Sequence, residues 1–453
     1  MRKNVYLPRH IDQELQAWKD CVIRKPLLVR GARQVGKSSS VRNLGRSFKY
    51  FLEVSLEKNP EVASFFKGNR DVRSISQRLS DYFDVPIIPG ETLLFLDEIQ
   101  ESEDVIHSLW FFKEDFPELH VIAAGSLLEF AIKNLSSFGV GRVSSLFVYP
   151  MSFDEFLIAV GQKGLLAAKR ECTPEHPLDK PFYDKLVEAF RSYIIVGGMP
   201  EAVAAFAKTN SFRDASDVVS GILLGYEDDF RKYSSKANPV LLRQTLLSVA
   251  RQVGGKFVFS RVEGNYRSSE VKEALEMLKD AGLIIPAYHT DANGIPLGAE
   301  INERVVKYLI HDSGVFLSLL GMDDGTDDMI KELMMATATD LVCKGHISEM
   351  IAGLEIIKYM SANKRHLLYY WQNMNKGTCA EVDYIIAKGR EIVPIEVKAG
   401  LKGSMASLYS LMNHPQKHID VGVRCSLENF GTFLSPAGKR IDIVPLYAMS
   451  SLF

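Results

Sequence analysis

Gly31-Ala32-Arg33-Gln34-Val35-Gly36-Lys37-Ser38 fits the pattern G-x-x-x-x-G-K-[ST] at every fixed position. The apolar run Pro26-Leu27-Leu28-Val29-Arg30 precedes it, and a polar helix is predicted from Lys37 onward. Strand, glycine loop and helix follow in the order that a phosphate-cradling loop requires. Glycines let the backbone curl so that successive N–H groups point inward at phosphate oxygens. The start of the helix adds the positive end of its dipole. With 32 glycines in 453 residues, a chance match somewhere in the chain is expected roughly 0.02 times, so an accidental Lys-Ser after a turn is set aside. Lys37 is expected to reach the β- and γ-phosphates of a nucleotide and the Ser38 hydroxyl to ligate Mg²⁺. Gly31, Ala32, Gln34, Val35, Gly36 and Ser39 complete the expected phosphate-binding stretch.

Outward from this loop, short continuous apolar runs recur. Phe51-Leu52-Glu53-Val54, Thr92-Leu93-Leu94-Phe95-Leu96 and His120-Val121-Ile122-Ala123-Ala124 are separated by helical stretches. This alternation predicts a parallel sheet covered on both faces, ending near Tyr149-Pro150. The third run continues into Asp97-Glu98, which puts two carboxylates at the sheet edge beside the phosphates. Asp97 is expected to hold Mg²⁺, directly or through water, and Glu98 to polarise the attacking water. An Asp-Glu pair after a strand is by itself more often the start of a helix. Its place about 60 residues after the phosphate loop gives it meaning. Ser126 ends the next strand and is a candidate contact for the γ-phosphate or the water; a plain Gly-Ser turn explains it equally well. Arg142 is the candidate cation for transition-state charge, with an ordinary surface arginine as the even alternative.

Composition bounds the rest. The residues are 46% hydrophobic and 24% charged, and Lys+Arg 54 against Asp+Glu 56 leaves a net charge of −2. No global basic field points to nucleic acid or an anionic membrane. No apolar run approaches the ~18 residues that span a bilayer, and residues 1–10 lack the core of a signal peptide. Cys21, Cys172, Cys343, Cys379 and Cys425 are scattered without CxxC spacing, against a zinc site or a disulfide framework. A reduced, cytoplasmic, multidomain protein is expected.

Past Ser152 the periodicity is helical to about residue 235. Then come helix Leu241–Val253, helix Ser268–Ala281, strand Leu283–Tyr288 and a turn at Asn293-Gly294, the order of a winged helix. The helix Ser268–Ala281 carries Glu270, Glu273, Glu276 and Asp280 against Lys272 and Lys279, a poor surface for phosphates. After residue 340, helix Ile347–Met360 precedes strands His366–Trp371, Val382–Ala387 and Ile392–Lys398. Period-2 alternation puts Glu396 and Lys398 on one strand face, and a hairpin brings Asp383 near Glu396. Two carboxylates and a lysine in this order have the arrangement of the PD-(D/E)xK nuclease core, with Glu349 on the preceding helix as a third acid. Asp383 and Glu396 are the candidate ligands of a second divalent metal, and Lys398 the residue that orients water or steadies the leaving phosphate. The residue before Asp383 is Val382 rather than proline. Glu-x-Lys on a strand is usually a solvated face, so the motif takes its weight from context.

The motif order resembles a family. Gly31 to Ser38 is followed by Phe95-Leu96-Asp97-Glu98-Ile99-Gln100, Ala124-Gly125-Ser126-Leu127-Leu128-Glu129-Phe130 and Val140-Gly141-Arg142-Val143. Tyr149-Pro150-Met151-Ser152-Phe153-Asp154-Glu155-Phe156 and Gly197-Gly198-Met199-Pro200-Glu201 come next, then Tyr226 to Phe230 and Asp312-Ser313-Gly314. Ala380-Glu381-Val382-Asp383-Tyr384 and Ile395-Glu396-Val397-Lys398 close the series. The chain thus resembles, over nearly its whole length, the bacterial and archaeal AAA-type ATP-binding proteins that carry a C-terminal domain of unknown function. That resemblance implies ATP as the nucleotide, an AAA+ core, a winged-helix segment and a restriction-endonuclease-like end. It carries over Gly31, Gly36, Lys37, Ser38, Asp97 and Glu98, with Ser126 as sensor and Arg142 as arginine finger. The expected organisation is an α/β P-loop core over 1–150, a helical lid over 151–235, a winged-helix-like region over 236–330 and a PD-(D/E)xK nuclease-like domain over 331–453. Two functions stay open: an ATPase controlling a metal-dependent nuclease on DNA or RNA, and a nucleotide-switched interaction protein whose nuclease-like domain is inactive. An arginine finger acting in trans would require self-association; a protein partner is the other expectation, and a membrane is not.

Overall fold

A computed structural model describes residues 6–125, 128, 129, 132, 141–232, 238–322, 344–373, 380–400 and 403–453. Contacts divide the chain into two units, the first made of residues 1–149, 280–282 and 361–365, the second of the remainder.

In the first unit, α1 (Ile11–Asp20) buries Ile11, Leu15 and Trp18, the one face that a 3.6-residue period allows. Strands β1 (Leu27–Arg30), β2 (Tyr50–Ser55), β3 (Thr92–Asp97), β4 (His120–Ala124) and β5 (Ser144–Phe147) alternate with α2 (Lys37–Gly45), α3 (Val72–Phe83) and α4 (Glu103–Asp115). The Asp71 side chain caps α3, accepting from Arg73 N and Ser74 N at 3.0 and 3.1 Å. The strands form one sheet in the order β2-β3-β4-β1-β5, with every neighbouring pair parallel. Every residue of β3 and of β4 is buried, which is why their sequences are unbroken apolar runs. Leu94, Leu96, Val121 and Ala123 pack with Val54, Ile75, Leu79, Ile106 and Leu109 into one core cluster. Each such Val, Leu or Ile side chain contributes ~1.5–3 kcal/mol on burial. Because the strands run one way, the carboxyl ends of β1, β3 and β4 share one edge of the sheet.

The second unit begins with helices and ends in a mixed sheet. Ser152 starts its first helix with a capping box: Ser152 N donates to Glu155 Oε2 at 2.7 Å, and Glu155 N to Ser152 Oγ at 3.3 Å. Helices continue through Phe212–Lys232, then Pro239–Arg251 and Ser268–Asp280. Strands β6 (Ile284–Thr290) and β7 (Ile301–Ile310) form an antiparallel hairpin. This hairpin is not a free wing, because β6 pairs in parallel with β8 (Leu368–Gln372). With β9 (Glu381–Lys388), β10 (Glu391–Val397), β11 (Val421–Ser426), β12 (Gly431–Leu434) and β13 (Arg440–Pro445) it makes an eight-stranded sheet. The order is β12-β13-β11-β10-β9-β8-β6-β7. The helix Lys344–Tyr359 enters this half of the unit before β8. Among the described residues no helix is long and apolar enough to cross a membrane.

Candidate functional site

The loop between β1 and α2 has the backbone its glycines predict. Gly31 (φ 144°), Gln34 (φ 64°) and Gly36 (φ 95°) all lie at positive φ, and Gly36 stands directly before the helix. A Cβ on Gly31 would sit 2.1 Å from the Val148 carbonyl oxygen, so the loop can follow this path only without one. Arg9 braces the loop, its guanidinium donating to Val35 O at 2.8 Å and to Tyr149 O at 2.7 Å. Tyr6 Oη lies 3.0 Å from Ser40 Oγ on α2. Sequence reasoning missed both residues, since their partners lie far along the chain.

The Lys37 ammonium is buried and donates to the carbonyls of Gly31 at 2.9 Å and Ala32 at 2.8 Å. Burial lowers its pKa to about 8, although Glu98 and Asp97 pull it upward. Ser38 Oγ donates to Asp97 Oδ2 at 2.8 Å, so the hydroxyl and the carboxylate predicted for Mg²⁺ stand side by side. Asp97 Oδ1 accepts from Glu98 N at 3.2 Å, and burial raises the Asp97 carboxyl above the usual range. Gln34 and Ser39 are exposed, and Ala32 and Val35 are buried along the loop.

Glu98 adopts φ 53°, a left-handed conformation uncommon outside glycine, where β3 leaves the sheet. Its Oε2 accepts from Gln100 Nε2 at 2.7 Å. Gln100 Oε1 is buried with no partner among the described residues, directly over Gly125, where a Cβ would come within 2.1 Å of it. Gln100 was not singled out in the sequence; its position two residues after Glu98 was the available signal. Ser126 lies outside the described residues. Arg142 is a surface side chain, 39% exposed, with Nε on Glu114 Oε1 at 2.8 Å and its guanidinium 4.2 Å from the Trp110 ring centre on α4.

A second cluster lies in the mixed sheet. In the β9–β10 hairpin Ile395 pairs with Tyr384, which brings the neighbouring Glu396 and Asp383 together. Val397 N donates to Asp383 Oδ2 at 2.7 Å, and Lys398 Nζ to Glu396 Oε1 at 2.5 Å. Glu396 is 4% exposed, and its Oε2 has no hydrogen-bond partner among the described residues. Burial raises its pKa, and Asp383 beside it raises it further; burial likewise raises Asp383. Glu349 does join this neighbourhood, together with Glu381: ligand oxygens of Glu349, Glu381 and Asp383 lie within 4.8 Å of one another. Lys307 of β7 is lodged among them, donating to Glu349 Oε1 at 2.8 Å and to Glu381 Oε1. Burial disfavours its charge, but Glu349, Glu381 and Asp383 outweigh that and hold the ammonium above its usual pKa. Glu381 was legible two residues before Asp383 on the same strand face; nothing local announced Lys307.

Residues 23–157 match a family model described as an AAA domain, a stretch that contains the phosphate loop, Asp97, Glu98 and Arg142. Residues 187–326 match one domain of unknown function (DUF8612) and residues 344–449 another (DUF4143). No curated protein matches the sequence. Among solved structures, the chain is similar to the Walker-type ATPase of Pyrococcus abyssi, at 19% identity, a TM-score of 0.44, and coverage of 70% of this chain and 97% of that one. It is also similar to the Orc1 protein of Aeropyrum pernix solved in complex with DNA, at 12% identity, a TM-score of 0.31, and coverage of 71% and 94%.

Proposed function

We propose that the N-terminal unit binds ATP with Mg²⁺ and hydrolyses it. The observation that carries this reading is the juxtaposition of Lys37, Ser38 and Asp97 at the edge where β1 and β3 end, within an AAA-matching stretch. The loop N–H groups and the Lys37 ammonium would take the phosphate oxygens. Ser38 and Asp97 offer a hydroxyl and a carboxylate, the hard oxygen donors that suit the Mg²⁺ arriving with the nucleotide. Glu98 would accept a proton from water attacking the γ-phosphorus, while the bond to the ADP oxygen breaks. Gln100 would hold the Glu98 carboxylate in place. Lys37→Ala should abolish nucleotide binding; unchanged affinity in a filter-binding titration sinks the assignment. Arg142, 39% exposed just before β5 and resting against Glu114 and Trp110 of α4, suits a role on the nucleotide of a neighbouring copy. Mixing Arg142→Ala with Lys37→Ala protein should then restore turnover; a mixture as inactive as its components removes that role.

For the second unit, the reading supported best is a divalent-cation site on Asp383 and Glu396 that acts on a phosphodiester of DNA or RNA. The unpartnered, buried Glu396 Oε2 beside Asp383 supports it, because such oxygens fit a hard cation. A bound cation would supply charge opposite the phosphate; Lys398 would orient water or steady the leaving oxygen. The competing reading is a nucleotide-switched interaction module with an inactive nuclease-like end. It draws on the ammonium already seated between Glu349 and Glu381. It also draws on the acidic helix Ser268–Asp280, which suits a protein better than a phosphate backbone. Plasmid nicking with Mg²⁺ or Mn²⁺, with and without ATP, separates the two. Cleavage lost in Lys398→Ala supports the first reading, and no cleavage under any condition leaves the second.

A further inference from the structure

The acidic cluster of the second unit is divided. Its four acids, Glu349, Glu381, Asp383 and Glu396, face two ammonium groups, Lys307 and Lys398, and the two lysines take different partners. Lys398 binds Glu396, whereas Lys307 binds Glu349 and Glu381. The Lys307 side chain is 3% exposed, and its ammonium also stands 4.9 Å from the ring centre of Tyr370, an aromatic face that attracts a cation. On the other side, Glu396 Oε2 is buried without a partner among the described residues.

We propose that the Lys307 ammonium is the resident cation of the Glu349–Glu381–Asp383 half of the cluster. It fills the place that a second divalent ion would take, so wild-type protein admits metal only on the Glu396 side. The three carboxylates converge within 4.8 Å, close enough to share one ion. Two of them already share the lysine at hydrogen-bond distance, and the lysine side chain is 3% exposed. A buried charge is kept only when it is paired and hydrogen-bonded, and here the pairing is internal. A divalent ion entering this half would have to expel a buried ammonium beside its own charge. Asp383 borders both halves; the inference rests on the reading of Asp383 and Glu396 as the cation-binding side, and the two fail separately.

The test counts Mn²⁺ bound per nucleotide-free full-length chain, by calorimetry and by the loss of free Mn²⁺ signal in electron paramagnetic resonance. Lys307→Met should bind one Mn²⁺ more than wild type, and adding Glu381→Gln should remove that extra ion. No increment in a Lys307→Met protein that melts cooperatively overturns the proposal. Should Lys307→Met not fold, Glu381→Gln in the wild-type background decides. Glu381 is 33% exposed and tolerates the change; its Mn²⁺ count should match wild type, and a lower count overturns the proposal. Any site at Ser38 and Asp97 contributes equally to each variant and cancels. Glu396→Gln tests the other reading by itself. If it leaves the wild-type count unchanged while Lys307→Met still adds one ion, the Asp383–Glu396 site fails and the resident lysine stands. If it lowers the count while Lys307→Met adds nothing, the reverse holds.

Discussion

Nucleotide affinity should fall as pH rises past about 8, and Lys37 sets that threshold. In the free protein, burial holds the Lys37 pKa at about 8, below its ordinary value near 10.5. Bound phosphates would add negative charge next to the ammonium and raise the pKa again. Binding therefore requires the protonated form, and any neutral fraction must take up a proton first. The sign follows: affinity is full below about pH 8 and is lost as pH rises through the free-state pKa. With that pKa, the apparent Kd should be roughly twice its neutral value at about pH 8 and roughly tenfold weaker at about pH 9, a loss of ~1.4 kcal/mol. The γ-phosphate is already ionised over this range, so the slope reports the protein. Titration of a fluorescent ATP analogue with Mg²⁺ at stepped pH measures it. Lys37→Arg, whose guanidinium keeps its charge, serves as the control. A flat wild-type Kd up to about pH 9 would refute the reasoning, and so would a slope that persists in Lys37→Arg.

Glu98→Gln should leave ATP binding intact and lower kcat by about 10²–10⁴-fold, the usual range for a positioned proton acceptor. Normal turnover in that variant removes the role given to Glu98. Gly31→Ala sets a Cβ 2.1 Å from Val148 O at φ 144°, so the loop must move. Strain of about 1–3 kcal/mol should weaken ATP binding roughly 5- to 150-fold in the same titration. In the second unit the Lys169 ammonium donates to Asp154 Oδ1, with the side chains 1% and 2% exposed. Lys169→Met should cost about 3–5 kcal/mol in denaturant unfolding. Tyr359 Oη, 3.0 Å from Asp154 Oδ1, keeps the loss toward the lower end. A change below ~1 kcal/mol would mean that the pair contributes little.

The phosphate loop was legible because its chemistry is local. Eight consecutive residues fix the positive-φ path, and α2 begins at the lysine they contain. Asp97 and Glu98 were legible because a fully buried parallel strand reads as an apolar run, so the first acid after it marks the sheet edge. Glu396 and Lys398 were legible through period-2 alternation, and their side chains do meet, at 2.5 Å. Arg142 shows the limit of such reading. A motif position says that an arginine is present, whereas its partners Glu114 and Trp110 lie far back in the chain, on α4.

Lys307 marks a different boundary. It is 42 residues from Glu349 and 74 from Glu381, and it meets them only because β6 and β7 join the sheet beside β8 rather than standing apart as a wing. Alternation identifies a strand and its faces; it does not say which strand will lie alongside. The overall charge of −2 adds to the concealment, because it averages over a local group of four acids and two lysines. In such a group, topology rather than composition decides which carboxylates find an internal cation and which one is left with an unpartnered oxygen. The same short motif could therefore serve a nuclease or an inert scaffold. The residue that separates those outcomes lies on a strand that the motif does not include.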